Sequence, residues 1–262
     1  MSVKEKIILS RKKKIGILIV AYNHEKFLEP LLERIPKEII KKIDEIAIFD
    51  DHSHDKTFQV AMDYKEKKKF DKLTIFYNNV NLGYGGNQKK GYLYFINNGF
   101  DIVVLLHGDG QYAPELLPSL LKPLEDEQAD AVFGSRMIGR GALKGGMPLY
   151  KYVGNKLLTF CENRVLGMYL TEFHSGYRLY SCAALKKIPF EKCSDAFHFD
   201  TDIIIMFHDA GLKIVELPIP TYYGDEISYV NVLQYGCDVL QSILSYKLHK
   251  LGILHSEKFS RS

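Results

Sequence analysis

Three polar side chains at alternate positions, His107, Asp109 and Gln111, have the chemistry of a metal-binding turn. They follow an apolar run typical of a buried strand, and side chains two apart in an extended segment point the same way. The glycines between them let a ligand approach the backbone closely. One carboxylate and one amide oxygen suit a hard divalent cation that takes its other ligands from water and phosphate. The same residues also fit a plain turn in which Asp109 and Gln111 only cap the following helix.

The elements that would position this turn follow the pattern of an α/β protein. Apolar runs of strand length alternate with helical patterns, which indicates βαβ units and a mostly parallel sheet. Strands are predicted at residues 15–21, 45–49, 73–77, 102–106, 131–133 and 212–219. Helices are predicted at about residues 26–33, 56–67, 114–124, 150–165 and 183–187, with two more running from the glycine-rich turn 81–87 to 98 and from 197–202 to 210.

Polar turns follow the first, second and fourth of these strands. Right-handed crossovers bring such turns to one edge of a parallel sheet, where α/β proteins bind their ligands. We therefore expect Asp51 and Asp109 to lie at one rim. A single acidic turn residue is usually a helix cap, whereas carboxylates gathered at strand ends form a pocket for a cation and a nucleotide.

Two segments lie outside this alternation. Residues 140–146 are rich in glycine and basic residues and are predicted to form a mobile loop. Residues 231–254 carry leucines at helical spacing, with Lys247, His249 and Lys250 on other faces. Such a helix more often packs on its own domain, but a basic amphipathic helix also suits a membrane surface or a partner helix.

Length and composition fit one large domain: of 262 residues, 46% are hydrophobic. A net charge of +3 gives no argument for a nucleic-acid partner. The predicted organisation is a basic N-terminal extension over residues 1–13, an α/β catalytic domain over 14–225 and an amphipathic helical tail over 226–262. No apolar run is long enough to cross a bilayer, and the four cysteines lack zinc-type or CxxC spacing. We expect a cytoplasmic protein, with peripheral binding to the inner membrane face as the open alternative.

Two common nucleotide signatures are absent from the sequence. A dinucleotide fingerprint would need its glycines after the first strand, where residues 22–25 contain none. The later glycine cluster has Gln88 in place of the third glycine. Residues 86–91 have the glycine spacing of a P-loop, but Tyr92 follows instead of lysine. The sequence therefore supports neither a nicotinamide-dependent enzyme nor a P-loop NTPase.

Four features together resemble the inverting GT-A glycosyltransferases of family 2. They are Ala-Tyr-Asn-x-Glu at 21–25, Asp-Asp-x-Ser-x-Asp-x-Thr at 50–57, the glycine-rich turn at 81–87 and Asp-x-Gln at 109–111. Residues 107–115, 134–136, 175–178 and 216–219 resemble the dolichyl/polyprenyl-phosphate sugar synthase branch of that family. The resemblance covers about residues 14–223. It implies the GT-A (nucleotide-diphospho-sugar transferase) fold, α/β with a mostly parallel central sheet and helices on both faces.

The resemblance also implies a nucleotide sugar, UDP- or GDP-linked, and a divalent metal, Mg or Mn. The metal would be held by Asp109, Gln111 and His107, the last at a position where the family usually has aspartate. An imidazole there adds no negative charge and tolerates Mn(II) better than Mg(II). The implied nucleotide-sugar contacts are Val20, Tyr22, His24, Glu25, Phe49, Asp51, Gly85, Gly86, Lys89, His107, Gly108 and Asp109.

The acceptor decides which further groups are needed. The implied acceptor contacts are Arg136, Arg140, Lys144, Lys151 and Arg178, although Arg178 equally fits a role in pinning its own loop. A lipid phosphate is already ionised near pH 7, whereas a sugar hydroxyl needs a carboxylate base. Asp200 and Asp202 are the candidates for that base and equally fit helix capping. The catalytic candidates are therefore Asp109, Asp200, Asp202 and Arg136.

The leading hypothesis is transfer of a sugar to a polyprenyl (dolichyl or undecaprenyl) phosphate at the cytoplasmic membrane face, with the membrane or a membrane protein as further partner. The first alternative is transfer to a saccharide acceptor in surface polysaccharide synthesis. A nucleotidylyltransferase is disfavoured because residues 21–25 lack a basic, glycine-rich turn. An inactive nucleotide-binding partner subunit is kept open by His107.

Overall fold

A seven-stranded sheet runs through the computed structural model, which describes residues 11–220 and 231–260. In chain order its strands are β1 (Ile15–Ala21), β2 (Glu45–Asp50), β3 (Leu73–Tyr77), β4 (Ile102–His107), β5 (Ala131–Ser135), β6 (Arg178–Ser181) and β7 (Ile214–Pro218). Their order across the sheet is β3-β2-β1-β4-β6-β5-β7. Only β6 runs antiparallel to its neighbours, so the mostly parallel sheet expected from the sequence is confirmed.

Ten α-helices surround the sheet within the described residues. They are α1 (Leu28–Arg34), α2 (Lys37–Lys42), α3 (Thr57–Lys68), α4 (Gly83–Asn97), α5 (Leu117–Glu125), α6 (Gly141–Lys144), α7 (Leu149–Leu166), α8 (Cys182–Leu185), α9 (Phe199–Asp209) and α10 (Val232–Lys250). Short 3-10 turns lie at Pro114–Leu116, Ile138–Arg140, Phe190–Lys192 and Glu257–Phe259.

Helices cover both faces of the sheet because the strands are apolar on both sides. All seven residues of β1 are buried, as expected for a central parallel strand. Leu18 faces one core with Phe95 of α4, whereas Ile17 and Ile19 face the other core with Leu31 of α1. This alternation follows from the two-residue period of a strand.

Most predicted elements are present, with bounds that differ from the observed ones by up to three residues. β1 and β3 have the predicted bounds, and β4 extends one residue further, to His107. The strand β6 was not predicted, because it is too short for an apolar period to show. The helix α2, which has Pro36 as its N-cap, was not predicted either.

The prediction of a mobile loop over residues 140–146 was wrong. This segment contains α6, and the backbone N–H of Ala142 donates to the carbonyl oxygen of Arg136 at 2.7 Å. Ala142 is fully buried against Met137 and Met147, which form a small apolar cluster of their own. The glycines therefore allow a tight packed turn at this position.

The helical tail packs on the domain along one side. Val239, Ile243 and Tyr246 of α10 are buried, and α10 contacts both α7 and α9. The predicted boundary at 225/226 and most of the predicted extension over 1–13 lie outside the described residues. Over the ranges 11–220 and 231–260, every helix is too short or too polar to cross a bilayer.

The expected gathering of polar turns at one sheet edge is confirmed by the strand-end hydrogen bonds. The N–H of Asp51, just after β2, donates to the carbonyl of Ala21 at 2.8 Å. The N–H of Gly108, just after β4, donates to the carbonyl of Val20 at 2.9 Å. The ends of β1, β2 and β4 therefore form one rim.

One substitution made in two helices tests this packing. A Cβ on Gly91 of α4 would lie 2.4 Å from Leu18 Cδ1 of β1, whereas a Cβ on Gly154 of α7 would meet open space. Gly154→Ala is expected to raise the free energy of unfolding by about 0.5–1 kcal/mol through helix propensity alone. Gly91→Ala is expected to lower it by about 1–3 kcal/mol because the core is overpacked. Urea unfolding measures the free energy of unfolding of both variants. If both variants were more stable than the wild type, the close packing of α4 on β1 would be contradicted.

Candidate active site

The turn after β1 is fixed by alternate side chains of the turn after β2. Ser53, Asp55 and Thr57 each accept a hydrogen bond from a backbone N–H of residues 23–25. The three bonds run from Asn23 to Ser53 Oγ (2.8 Å), from His24 to Thr57 Oγ1 (2.7 Å) and from Glu25 to Asp55 Oδ2 (3.1 Å). This is the physical reason for the Ser-x-Asp-x-Thr spacing, which ties the two strand ends together.

Asp51 lies at the rim and orders the loop that leads to α4. Its Oδ1 accepts from the side-chain amide of Asn78 and from the backbone N–H of Leu82, both at 2.8 Å. Asp51 is 4% exposed, and its Oδ2 has no hydrogen-bond partner among residues 11–220 and 231–260. This oxygen is therefore left to accept from a ligand hydroxyl or ring N–H.

Asp109 sits in a tight turn that a remote arginine holds. Its Oδ1 accepts from the backbone N–H of Gln111 at 3.0 Å, and Gly110 between them has a φ of 71°. Arg34 of α1 donates to the carbonyl of Gly110 at 2.9 Å and pairs with Glu115 through two hydrogen bonds. Arg34 thus fixes the turn from outside, a role that no sequence pattern indicated.

His24 and Asp109 lie close together on either side of Gly108, which has no side chain to separate them. A Cβ at Gly108 would lie 2.7 Å from His24 Nδ1, so only glycine lets the two turns approach this closely. Burial lowers the pKa of His24, and the charge of Asp109 opposes this shift. The carboxylate of the neighbouring Glu25 accepts from the backbone N–H of Lys56 at the start of α3.

Tyr84 connects His107 with Asp200. Its hydroxyl donates to Asp200 Oδ2 at 2.8 Å and lies 3.3 Å from His107 Nε2. Because the single hydroxyl proton goes to Asp200, His107 donates from Nε2, and Nδ1 keeps its lone pair. Burial lowers the pKa of His107 to about 4. The imidazole is neutral at pH 7 and can act as a ligand or a hydrogen-bond acceptor.

Arg178 is fully buried at the start of β6 and anchors the loop before it. It donates to the carbonyls of Ser175 (2.8 Å), Phe173 (2.6 Å) and Asp200 (3.0 Å), and its guanidinium lies 3.6 Å from Asp200 Oδ2. Of the two roles expected for Arg178, this geometry is that of the loop anchor. Asp200 Oδ1 is buried without a hydrogen-bond partner among the described residues, so Asp200 keeps acceptor capacity.

Asp202, the second candidate base, forms hydrogen bonds with α10 and with the residues that follow it. It is 0% exposed, and its Oδ1 accepts from Ser242 Oγ of α10 at 2.8 Å and from Lys258 Nζ at 2.7 Å. Its Oδ2 accepts from the backbone N–H of Ser194 at 3.0 Å. Asp202 therefore joins α9 to the C-terminal segment, whereas Asp200 joins α9 to His107.

Arg136 lies in a buried ion pair. Its backbone N–H and its Nε donate to the Glu172 carboxylate at 2.7 and 2.8 Å, and Nη2 also contacts that carboxylate. Burial alone would raise the pKa of Glu172, but the charge and hydrogen bonds of Arg136 hold it below its usual value. Asn155 of α7 donates to the same carboxylate at 2.9 Å. No pattern in the sequence indicated this role for Glu172.

The glycine-rich turn at the start of α4 is filled by protein. A Cβ on Gly85 would lie 2.3 Å from the Ser194 carbonyl oxygen, and one on Gly86 would lie 3.1 Å from an Asp195 carboxylate oxygen. Lys89 donates to the carbonyl of Cys193 at 2.8 Å and pairs with Asp195 at 2.6 Å. These residues hold the loop before α9, and the charge of Lys89 is already compensated.

The remaining predicted residues spread from the rim to the surface. Val20 and Phe49 are buried, and Phe49 stacks on Phe76 in the core with the ring centroids 4.6 Å apart. Tyr22 is half-buried and meets His54 edge-on. Lys144 is exposed, Lys151 is half-buried, and the side chain of Arg140 lies outside the described residues.

The metal-ligating groups available around Asp109 fit a divalent ion that takes most of its ligands from a bound nucleotide and from water. No cluster of three His, Cys, Asp or Glu side chains that could hold a metal occurs in the part of the chain described. One carboxylate with one amide and a neutral imidazole leaves most coordination positions to phosphate and water, as nucleotide-bound Mg(II) or Mn(II) requires. The residues present therefore fit such an ion.

Removing Arg136 tests the buried ion pair. Arg136→Met leaves Glu172 buried and unpaired, which is expected to cost about 3–5 kcal/mol in the free energy of unfolding. The double variant with Glu172→Gln is expected to recover much of that loss, and Lys122→Met in an exposed pair on α5 is expected to cost under about 0.5 kcal/mol.

Because the pKa of Glu172 is lowered, the stability from its ionised form is present above the ordinary value of 4.5 and is lost as the pH falls. Urea unfolding from pH 7 to pH 3 measures both effects, and equal losses for Arg136→Met and Lys122→Met would contradict the ion pair.

Comparison with known proteins extends over most of the chain. The model of glycosyl transferase family 2 matches residues 16–189. The UDP-N-acetylglucosamine–dolichyl-phosphate N-acetylglucosaminyltransferase of Methanococcus voltae is 28% identical over 250 residues, 91% of this chain and 98% of that protein. The undecaprenyl-phosphate mannosyltransferase of Micrococcus luteus is 27% identical over 209 residues, 77% of this chain and 81% of that protein.

The architecture also has a solved counterpart. Glucosyl-3-phosphoglycerate synthase of Mycobacterium tuberculosis, in complex with Mn2+, uridine diphosphate and glucosyl-3-phosphoglycerate, superposes with a TM-score of 0.66. The two chains are 18% identical, and the match covers 93% of this chain and 82% of that one. This likeness confirms the GT-A architecture expected from the sequence. The strand-end rim and the family match over residues 16–189 together make this chain a member of glycosyl transferase family 2.

Proposed function

We propose that this protein moves a sugar, with inversion, from a nucleoside-diphosphate sugar to a polyprenyl phosphate at the cytoplasmic face of a membrane. The observation that carries the proposal is the rim where Asp51 follows β2 and Asp109 follows β4, the two strands that flank β1 in the sheet. The two relatives compared above are named for transfer to dolichyl and undecaprenyl phosphate, and they align over most of their lengths. Their names support the choice of acceptor.

The donor nucleoside is proposed to bind beside Asp51 and Tyr22. Asp51 Oδ2 accepts from a ribose hydroxyl or a base N–H, and Tyr22 offers its aromatic face. Val20 forms the floor at the end of β1. Phe49 is a core residue and is proposed to support this pocket from below without contacting the nucleoside. Gly85, Gly86 and Lys89 are proposed to act indirectly, because they fix the loop before α9.

The diphosphate is proposed to lie over Gly108, between His24 and His107. Asp109 would hold a divalent ion there, with Gln111 and His107 beside it, and the bound ion would neutralise the charge that grows on the leaving diphosphate. The M. tuberculosis synthase, which shares this fold, is described with Mn2+ and uridine diphosphate. We propose Mn(II) over Mg(II) because a neutral imidazole suits softer ions, and UDP- or GDP-linked sugars as donors.

The acceptor phosphate is proposed to enter from the side of Arg136 and α6. The guanidinium of Arg136 is paired with Glu172 and therefore contributes oriented N–H groups rather than net charge. Lys144 is exposed and has no ion-pair partner among the described residues, so it supplies net positive charge. The nucleophile, an ionised phosphate oxygen, needs no carboxylate base. Asp200 then positions His107 through Tyr84.

A transfer assay tests the proposed function. The full chain with Mn(II) and a labelled UDP- or GDP-sugar is expected to label a short-chain prenyl phosphate, and to leave oligosaccharides and phosphoglyceric acid unlabelled. Asp109→Asn is expected to lower the rate by about a hundredfold or more, because charge on the leaving group is no longer compensated. Asp126→Asn, which changes an exposed carboxylate just after α5, is the matched control and is expected to keep the rate. Label on an oligosaccharide would contradict the assignment of a prenyl phosphate as the acceptor. If the wild type and Asp109→Asn were equally inactive with every donor, the proposal that this protein is a glycosyltransferase would be wrong.

A second pair of variants separates a base from a positioning carboxylate. If the nucleophile is already ionised, Asp200→Asn is expected to lower kcat by about tenfold or less, whereas loss of a general base costs about a hundredfold or more. The pH–rate profile of Asp200→Asn is expected to keep the wild-type shape. Tyr84→Phe should reproduce the effect of Asp200→Asn, since it breaks the same chain to His107. A hundredfold loss with a changed pH profile for Asp200→Asn alone would show that Asp200 is the base.

A further inference from the structure

Exposed large hydrophobic side chains are concentrated on two helices and the residues that follow them. All such side chains in the described part of the chain, except Tyr77, Val80 and Leu143, lie on α7, on α10 or just after either helix. A monomeric domain seldom presents so many apolar side chains in one region unless something covers them.

On α7 the exposed apolar residues form one stripe. Leu149, Val153, Leu157 and Phe160 follow at intervals of four, four and three, so they share one helical face. Their side chains are between 56% and 69% exposed. The opposite face holds the buried polar residues Asn155, Thr159 and Glu162, which contact the interior of the domain.

On α10 a second stripe runs along the side away from the core. Leu233, Leu240, Leu244 and Leu251 lie seven, four and seven residues apart, again on one face. Leu233 is 83% exposed and Leu244 is 57% exposed, whereas Ile243 is buried. Because α7 and α10 pack against each other, we call the two stripes together the α7–α10 face.

The exposed charged side chains on α7 and α10 themselves are all cationic. Lys156 and Arg164 on α7, Lys247 on α10 and Lys144 just before α7 are exposed, and none has an ion-pair partner in the described residues. Neither helix presents an exposed acidic side chain. Tyr169, which follows α7, is 96% exposed, and tyrosine is favoured at the level of lipid headgroups.

We infer that the α7–α10 face docks on the surface of a bilayer that contains anionic lipids. Apolar stripes on two helices whose fully exposed charges are all cationic match lipid chains below anionic headgroups. A second copy of this chain would instead bring like charges together across the interface, which is destabilising. The proposed contact is peripheral, with the two helices lying on the bilayer surface.

Docking through this face places the candidate site next to the lipid. Asn155, on the inner side of α7, donates to the carboxylate of Glu172, which in turn pairs with Arg136. The proposed acceptor region is thus one helix thickness from the α7–α10 face, within reach of a phosphate at headgroup level. This inference deepens the proposed function and rests on it for the identity of the acceptor, but vesicle binding itself requires no catalysis.

Vesicle sedimentation of the full chain tests the inference. The wild type is expected to bind vesicles of phosphatidylcholine with phosphatidylglycerol and to bind pure phosphatidylcholine at least about tenfold more weakly. The double variant Leu157→Glu/Phe160→Glu is expected to partition about a hundredfold more weakly into the mixed vesicles, because two carboxylates replace inserted apolar groups. Val80→Glu, which changes an equally exposed side chain outside the face, is the matched control and should bind as the wild type does. Circular dichroism checks that each variant is folded.

The outcomes separate this inference from the proposed function. Equal vesicle binding by the wild type and the folded double variant, or no binding by the wild type, would overturn the inference. A wild-type dimer that the double variant breaks, without vesicle binding by either, would assign the face to a second copy and also overturn it. If the wild type binds vesicles through this face but transfers sugar to no soluble prenyl phosphate, the docking surface stands and the proposed function fails.

Discussion

Three adjacent parallel strands, β1, β2 and β4, end at one rim, and the candidate site depends on this constraint. Hydrogen bonds from Asp51 and Gly108 back to the end of β1 fix where the two polar turns begin. Each carboxylate then acquires its own local anchor, Asn78 and Leu82 for Asp51 and the Gln111 N–H for Asp109. The register of the strands therefore sets the position of the site, and the side-chain contacts set its local geometry.

Buried charges around this rim are neutralised by partners within the protein. Arg178 lies beside Asp200, and Arg136 beside Glu172, both in places where an unpaired charge would be costly. Two consequences follow for the chemistry. The imidazole of His107, whose pKa is lowered by burial, stays neutral because Arg178 compensates the opposing charge of Asp200. The net positive charge available to an anionic acceptor must come from residues nearer the surface, such as Lys144.

Local patterns predicted the sheet and the rim, but they did not predict the partners of the site residues. The apolar runs of β1, β2 and β4 and the crossover rule were sufficient to predict that Asp51 and Asp109 lie at one edge of the sheet. Lys89 resembled a phosphate ligand because it follows a glycine-rich turn, yet its partners lie more than 100 residues later in the chain. The links from Tyr84 to Asp200 and from Arg136 to Glu172 likewise join distant segments, and spacing carries no information about such contacts. β6 was too short to show a period, and α6 was hidden by its glycines.

The most direct test of this account is the position of manganese in a crystal grown with Mn(II) and a nucleoside-diphosphate sugar, read from its anomalous scattering. We predict one strong peak in direct contact with the Asp109 carboxylate, bridging the diphosphate, with the nucleoside beside Asp51. A peak elsewhere in the molecule, or a donor bound with the Asp109 side chain turned away from it, would contradict the assignment of the rim as the active site.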